Sequence, residues 1–281
     1  MMRFPTVLPW LVLVQCFAGS GFAQKIEAKV VDREVIQQRL AQISGKNPER
    51  KARLQQLFAE AGAADAQIAE EEVAGSRLPN LVCTLPGSTD ATIIVGAHYD
   101  ANFDYGQGIV DNWSGASLLP SLFESVKAYP RRHTFIFVEF VGEEQGLVGS
   151  RYYVRKLPRE RKDAIDAMVN LDCLGMTTTK VDLGKTGQQM FGLLNSVANT
   201  MKLPVSVVDV SRVGISDANA FAEAKIPSLT VHSVTQDNLS ILHGLKDRLK
   251  LVRADDYYDT YRLVAFYLAA LDSLLPEKAR P

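Results

Sequence analysis

Thr92-Ile93-Ile94-Val95-Gly96-Ala97-His98-Tyr99-Asp100 begins as a β-favouring apolar run and ends on an imidazole and a carboxylate. A short apolar run bounded by a glycine reads as a buried strand, so His98 and Asp100 fall where that strand stops. The pattern recurs twice. Thr134 to Phe140 is followed by Val141-Gly142-Glu143-Glu144, and Ala167 to Leu171 is followed by Asp172. Leu81 to Leu85, Val205 to Val210 and Ser228 to Val231 are further runs of the same kind, with helical stretches between most of them. This alternation predicts an α/β fold of one domain, with a central mixed, mostly parallel twisted sheet flanked by helices. Such sheets bind ligands at the carboxyl ends of their strands, and three sets of polar residues lie there.

Upstream, Ile36, Leu40 and Ile43 fall at helical spacing with Gly45 as a stop. Asn47, Pro48 and Glu49 read as N-cap, first helical residue and favourable early acid of a second helix, whose Leu54, Leu57, Phe58 and Ala61 form one apolar stripe. This N-terminal helical segment, at about 31–62, reads as structural. Ahead of it, Arg3, the apolar run Val7 to Val14, and the small residues Gly21 and Ala23 read as a signal peptide over residues 1–23, cleaved after Ala23. The expected mature domain is 24–281, secreted or periplasmic. The run is shorter than the roughly 20 apolar residues a membrane span needs, and Gln15 before Cys16 disfavours lipidation. Farther along, Pro120 sits inside the helix expected after Ser114 and should kink it or delay its start.

Of 281 residues, 47% are hydrophobic and 22% charged, a balance that supports a large core. Lys and Arg number 31 against 32 Asp and Glu, so no basic field of the nucleic-acid-binding kind exists. Beyond the leader only Cys83 and Cys173 remain, too few for a disulfide-stapled fold. Both lie in apolar runs and read as buried thiols, with a single bridge left open.

Each polar residue has a bland reading. A lone histidine is more often a hydrogen-bonded core residue than a ligand, and an aspartate before a helix, such as Asp111 in Gly108-Ile-Val-Asp-Asn-Trp-Ser-Gly115, is usually a cap. Three acid-bearing strand ends together weaken those readings. A carboxylate has two oxygens, so Asp111 can sit between two cations roughly 3.5–4 Å apart. Glu143 and Glu144 are adjacent in a glycine-framed segment and point to opposite sides, so one can bind metal while the other stays free as a base. Asp100 can accept the second ring N–H of His98. His98, Asp111, Glu144, Asp172 and His243 offer five N/O ligands and no thiolate, a set suited to zinc.

The segments GAHYD, VDNWSG, GEEQGLVGS and NLDCLG, taken in order, resemble the metal motifs of the zinc-dependent aminopeptidases of peptidase family M28, from His98 to the final helix. The resemblance implies that His98 and Asp172 hold one zinc ion, that Glu144 and His243 hold a second, and that Asp111 bridges them. It further implies Glu143 as general base, Asp100 as orienting His98, a cis peptide after Asp111, and a peptide substrate cut at its first bond by a metal-activated water. His232, also at a strand end, competes with His243 as the last ligand; His243 is favoured because an acid, Asp247, follows four residues later. Leu242 stands where some members carry tyrosine. Asp217 lies in a loop similar to one near the family's site, where a substrate contact and a simple turn are both open readings, and His133 reads as structural. Two alternatives remain: a glutaminyl cyclase-like transferase, which shares this architecture with one zinc, and a non-catalytic binding module.

Overall fold

All seven residues of the central strand, β5 (Thr92–His98), are buried, which is the signature of a strand covered on both faces. The structure, a computed structural model, describes residues 10–14, 24–43, 45–102, 106–210 and 214–275. Before β5 come β1 (Trp10–Val14), β2 (Gln24–Ala28), α1 (Arg33–Ala41), α2 (Asn47–Glu60), β3 (Ile68–Glu71) and β4 (Asn80–Leu85). After it come α3 (Ser114–Ala116), α4 (Leu119–Lys127), β6 (Thr134–Phe140), α5 (Val148–Lys156), α6 (Arg159–Asp163), β7 (Ile165–Leu171), β8 (Lys180–Asp182), α7 (Gln188–Met201), β9 (Ser206–Val207), α8 (Asp217–Glu223), β10 (Ser228–His232) and α9 (Ala254–Leu274).

The main sheet has the order β3-β4-β6-β5-β7-β10-β8-β9. Its four middle strands run parallel, whereas β4 is antiparallel to β6 and β8 antiparallel to β10. The mixed, mostly parallel sheet expected from the strand-helix alternation is therefore present. β5 has β6 on one side and β7 on the other, so the chain leaves β5 and β7 in opposite directions, and a crevice opens where their carboxyl ends meet.

Alternate residues of each strand serve different layers. Ile93, Val95 and Ala97 pack with Phe58, Phe123 and Phe137 under α2, α4, α7 and α9. Ile94, Val138 and Met168 pack with Tyr153 and Phe221 under α5 and α8. Helices thus cover both faces of one sheet. The helix break foreseen at Pro120 occurs: α3 stops at Ala116 and α4 restarts at Leu119, which puts Pro120 in a first turn where a missing N–H costs nothing.

Several local expectations are corrected. The strand anticipated at Val205 to Val210 shrinks to Ser206–Val207 on the sheet edge. The N-cap of α2 is Lys46, and Asn47 is its first helical residue, because the Asn47 side-chain oxygen accepts the N–H of Ala101 instead. The first helix ends at Ala41, ahead of Gly45. The reading of Cys83 and Cys173 as buried thiols holds: both are free and buried. The expected leader lies largely outside the described residues; its Trp10–Val14 stretch pairs antiparallel with Gln24–Ala28. Among the described residues no helix is long and apolar enough to cross a membrane.

Candidate metal centre

Three strand ends, one turn and one later segment converge on the crevice. His98 is the last residue of β5, Glu143 and Glu144 lie in the turn after β6, and Asp172 directly follows β7. Asp111 is carried by a wide turn, Ile109–Trp113, and the peptide between Asp111 and Asn112 is cis. His243 reaches in from the segment between β10 and α9, with left-handed backbone (φ 55°), as is that of Cys173 beside Asp172 (φ 54°). Such conformations are sparse for non-glycine residues and cluster at functional sites.

The side chains meet as two triads that share one aspartate. His98 Nε2 lies 3.2 Å from Asp111 Oδ1 and 3.6 Å from Asp172 Oδ1. His243 Nε2 lies 2.9 Å from Asp111 Oδ2 and 3.1 Å from Glu144 Oε2. Each triad gathers its ligand atoms within 4.8 Å of one another, a spacing that suits one metal ion. All five candidate ligands are therefore brought together. Glu143 belongs to neither triad; its Oε2 stands 4.0 Å from His98 Nε2, beside the cluster.

Local hydrogen bonds explain why these residues hold this arrangement. The Nδ1–H of His98 donates to the backbone carbonyl of Asp100 at 3.0 Å, which leaves Nε2 as the atom facing the acids. Asp100 thus orients His98 through its main chain, and its carboxylate, 3.6 Å from the ring, instead accepts the N–H groups of Glu143 and Glu144. Asn112 ties the Asp111 turn to the end of β7: its Nδ2 donates to Leu171 O, and its Oδ1 accepts from Gly115 N and Cys173 N.

His232, the competing last ligand, is committed elsewhere. Its Nδ1 accepts the N–H of Val234 and its Nε2 donates to Val208 O, so both ring nitrogens are spent on backbone. His133 sits far from the centre between Asp166 and Asp272, as a structural residue would. Asp217 is fully buried as the first residue of α8.

The charges are tightly coupled. Burial opposes protonation of His98, but Glu143, Asp100, Asp111 and Asp172 outweigh it and hold its pKa well above 6.5. Burial likewise works against ionised Asp111, yet His243 and His98 keep its carboxyl below the ordinary 3.8. Asp111 and Glu144 lift His243 to about 10, and burial lifts Glu143 to about 9. A dication in the centre inverts that logic, because each ligand then binds in its deprotonated form. The donors fit zinc: two imidazoles, three carboxylates and no thiolate, with Asp172 Oδ1 buried and lacking a hydrogen-bond partner.

Two residues the sequence reading passed over complete the surroundings. Asp247, noted only as the acid after His243, accepts the N–H groups of Ile109, Val110 and Asp111 at 3.1, 2.7 and 3.1 Å. Arg50, fully buried on α2, donates to the carbonyls of Tyr99, Gln107 and Gly108. Arg50 had a readable signal, since it lies four residues before Leu54 on the stripe that faces the core. Asp247 had none beyond its spacing.

The sequence model for "Peptidase family M28" matches residues 80–268. The chain belongs to peptidase family M28. A probable zinc metalloprotease of Pyrenophora tritici-repentis is 34% identical over 121 residues, 39% of this chain and 26% of that protein. The chain spans about a third or less of the length of the curated relatives it matches. Among solved structures, the Legionella pneumophila LapA aminopeptidase superposes with a TM-score of 0.75 at 20% identity, covering 88% of this chain and 73% of that one. A glutaminyl cyclase from an Acidobacteriales bacterium superposes at 0.73 and 18% identity, covering 86% and 93%. At such identities both show that the M28 fold is shared, and the chemistry must be argued from the centre itself.

Proposed function

We propose that this M28 chain is a zinc-dependent aminopeptidase that hydrolyses the first bond of peptides. The observation that carries the reading is the pair of triads sharing Asp111, with the unshared Glu143 alongside. His98, Asp111 and Asp172 would hold one zinc ion, and Asp111, Glu144 and His243 a second. Zinc, when bound, supplies Lewis acidity that polarises a carbonyl and makes water a stronger nucleophile.

The chain's own groups do the rest. Glu143 borders the cavity and accepts the proton of the attacking water. As the hydroxyl oxygen bonds to the carbonyl carbon and the C–N bond breaks, Glu143 returns that proton to the departing amine, so the carboxylate base is regenerated. Asp100 fixes the Glu143-Glu144 turn from behind. A cavity of about 150 Å³ opens from the centre, with Val210, Ile215, Val234, Leu239 and Leu242 on its wall. That wall suits an apolar first side chain and, among the described residues, offers no carboxylate to a basic one away from the centre itself. Leu242 makes this wall more apolar than the tyrosine of some family members would.

A second reading, the glutaminyl cyclase-like transferase, shares the fold, but needs only one ion. The completeness of the His98 triad favours two. A non-catalytic module would have no use for a free Glu143 beside a full ligand set. Residues 1–23 are read as a leader removed after Ala23, which places the enzyme in the periplasm or medium; a mature N-terminus at Gln24, found by mass spectrometry of exported protein, would agree with this. For the activity, a panel of amino-acid anilides and a glutaminyl peptide are incubated with the purified chain, with and without chelator. Hydrolysis favouring apolar residues, lost to chelator and restored by zinc, is expected. Pyroglutamate formation without hydrolysis would move the chain to the cyclase reading.

A further inference from the structure

The N-terminal helices lie outside the family match, which begins at residue 80, yet they grip the loop that joins two of the ligands. Its described stretches are 98–102 and 106–113, and the helices touch them at three places. Asn47 Oδ1 accepts the N–H of Ala101 at 3.1 Å. Leu40 O accepts the indole N–H of Trp113 at 2.8 Å. Between these, the guanidinium of Arg50 forks across Tyr99 O at 3.2 Å, Gln107 O at 2.5 Å and Gly108 O at 2.9 Å. It also lies 5.8 Å from the Trp113 ring centroid.

We propose that Arg50 is a positioning residue for the metal centre, a clamp that holds the stretches 99–102 and 106–113 so that Asp111 lies between His98 and His243. A fully buried cation is expensive unless its donors are used, and here three of the partners are carbonyls of this one loop. The loop sequence is cut to fit it. Gly108 has left-handed backbone (φ 58°), and a Cβ there would stand 2.9 Å from Arg50 Nη2 and 2.5 Å from Ala101 Cβ. Asp247 accepts the next three N–H groups, so carbonyls and N–H groups of adjoining residues are held by opposite charges. The planar five-donor fork suits several carbonyls at once, which a lysine ammonium at the end of a flexible stem does not match.

The inference rests on the proposed zinc centre, and its test reads metal affinity rather than turnover. Arg50→Lys, Arg50→Met and Asn47→Ala are made in the full chain; folding is followed by circular dichroism, and zinc affinity by competition with a chromophoric chelator. Removing a residue that orients ligands lowers metal affinity by about 10- to 100-fold, and that loss is expected in both Arg50 variants, lysine included. Asn47→Ala, which removes one hydrogen bond near the surface, should lose about fivefold. If Arg50→Met does not fold, the other two carry the comparison. Folded variants that bind zinc within about twofold of the parent, or a lysine variant with full affinity, would overturn the clamp and leave the proposed function standing. A parent chain that binds no zinc would overturn both.

Discussion

Asp111 has two oxygens and uses each for a different histidine, Oδ1 toward His98 and Oδ2 toward His243. That division is what allows five side chains to form two triads, and it leaves Glu143 free. Glu143→Gln keeps the shape and removes the proton acceptor, so hydrolysis should fall by about 10² to 10⁴ while zinc content, measured on the same preparation, stays at the parental level. Asp247→Ala strands three buried N–H groups, each costing on the order of 1–3 kcal/mol. Thermal unfolding should therefore drop by several degrees, at about 2–4 °C per kcal/mol for a chain of this size; an unchanged midpoint would show that water replaces the carboxylate at no cost. His98, Glu144 and Asp172 were legible because a strand end is a local property: apolar runs stop, and polar residues follow; Asp111 and His243 lie at no strand end, and the family resemblance pointed to them. The partners of Asp247 lie 136 to 138 positions away, a distance no local pattern spans. Arg50 was visible only as a cation on an apolar stripe, and the sequence alone does not say whether such a residue snorkels outward or is swallowed.

The six runs read as strands all carry pairing in the structure, but the edge elements depart from expectation. β3, at one edge, is Ile-Ala-Glu-Glu with its two middle residues exposed; an edge strand has one covered side and need not be apolar. Val205 to Val210 looked like a core strand, yet only two exposed residues pair, because no further strand lies beyond to bury them. At the opposite end of the sheet from the metal centre, His133 joins the start of β6 to β7 and α9: Nε2 is 3.3 Å from Asp166, and Nδ1 is 3.0 Å from Asp272. Burial opposes its protonation, but the two aspartates raise its pKa above 6.5 against the smaller opposing effect of Arg132. Asp272, despite burial, is held below 3.8 by His133 and by the Arg132 and His133 N–H groups. A raised histidine stabilises fully below its unfolded pKa and loses that contribution as pH climbs through the folded value; a depressed aspartate contributes above its unfolded pKa and loses it as pH falls through the folded one. The contact between His133 and Asp272 is therefore strongest from about pH 4 to 6.5. The melting gap between the parent and His133→Asn should be widest there and narrow at alkaline pH; a gap constant from pH 5 to 9 would mean a neutral histidine.

The whole molecule is a sheet with helices on both faces, and its stability comes from burial rather than from disulfides, since both cysteines among the described residues are free. Phe58, Phe123 and Phe137 meet with ring centroids 5.7–6.3 Å apart, where α2 and α4 press on β6. Phe123→Ala at this junction should cost about 3–5 kcal/mol, read from denaturant unfolding with the slope unchanged. Layer order and class were legible because strand and helix periods differ; the route by which the N-terminal helices return to the metal loop was not, since it depends on contacts tens of residues apart. The account stands on the meeting of positions 98, 111, 144, 172 and 243 around a pair of cations. Zinc counted per folded chain by native mass spectrometry tests it most directly. Two equivalents in the parent, with both lost when Asp111 is replaced by alanine, is the predicted result; a parent that takes up one equivalent or none at saturating zinc would contradict it.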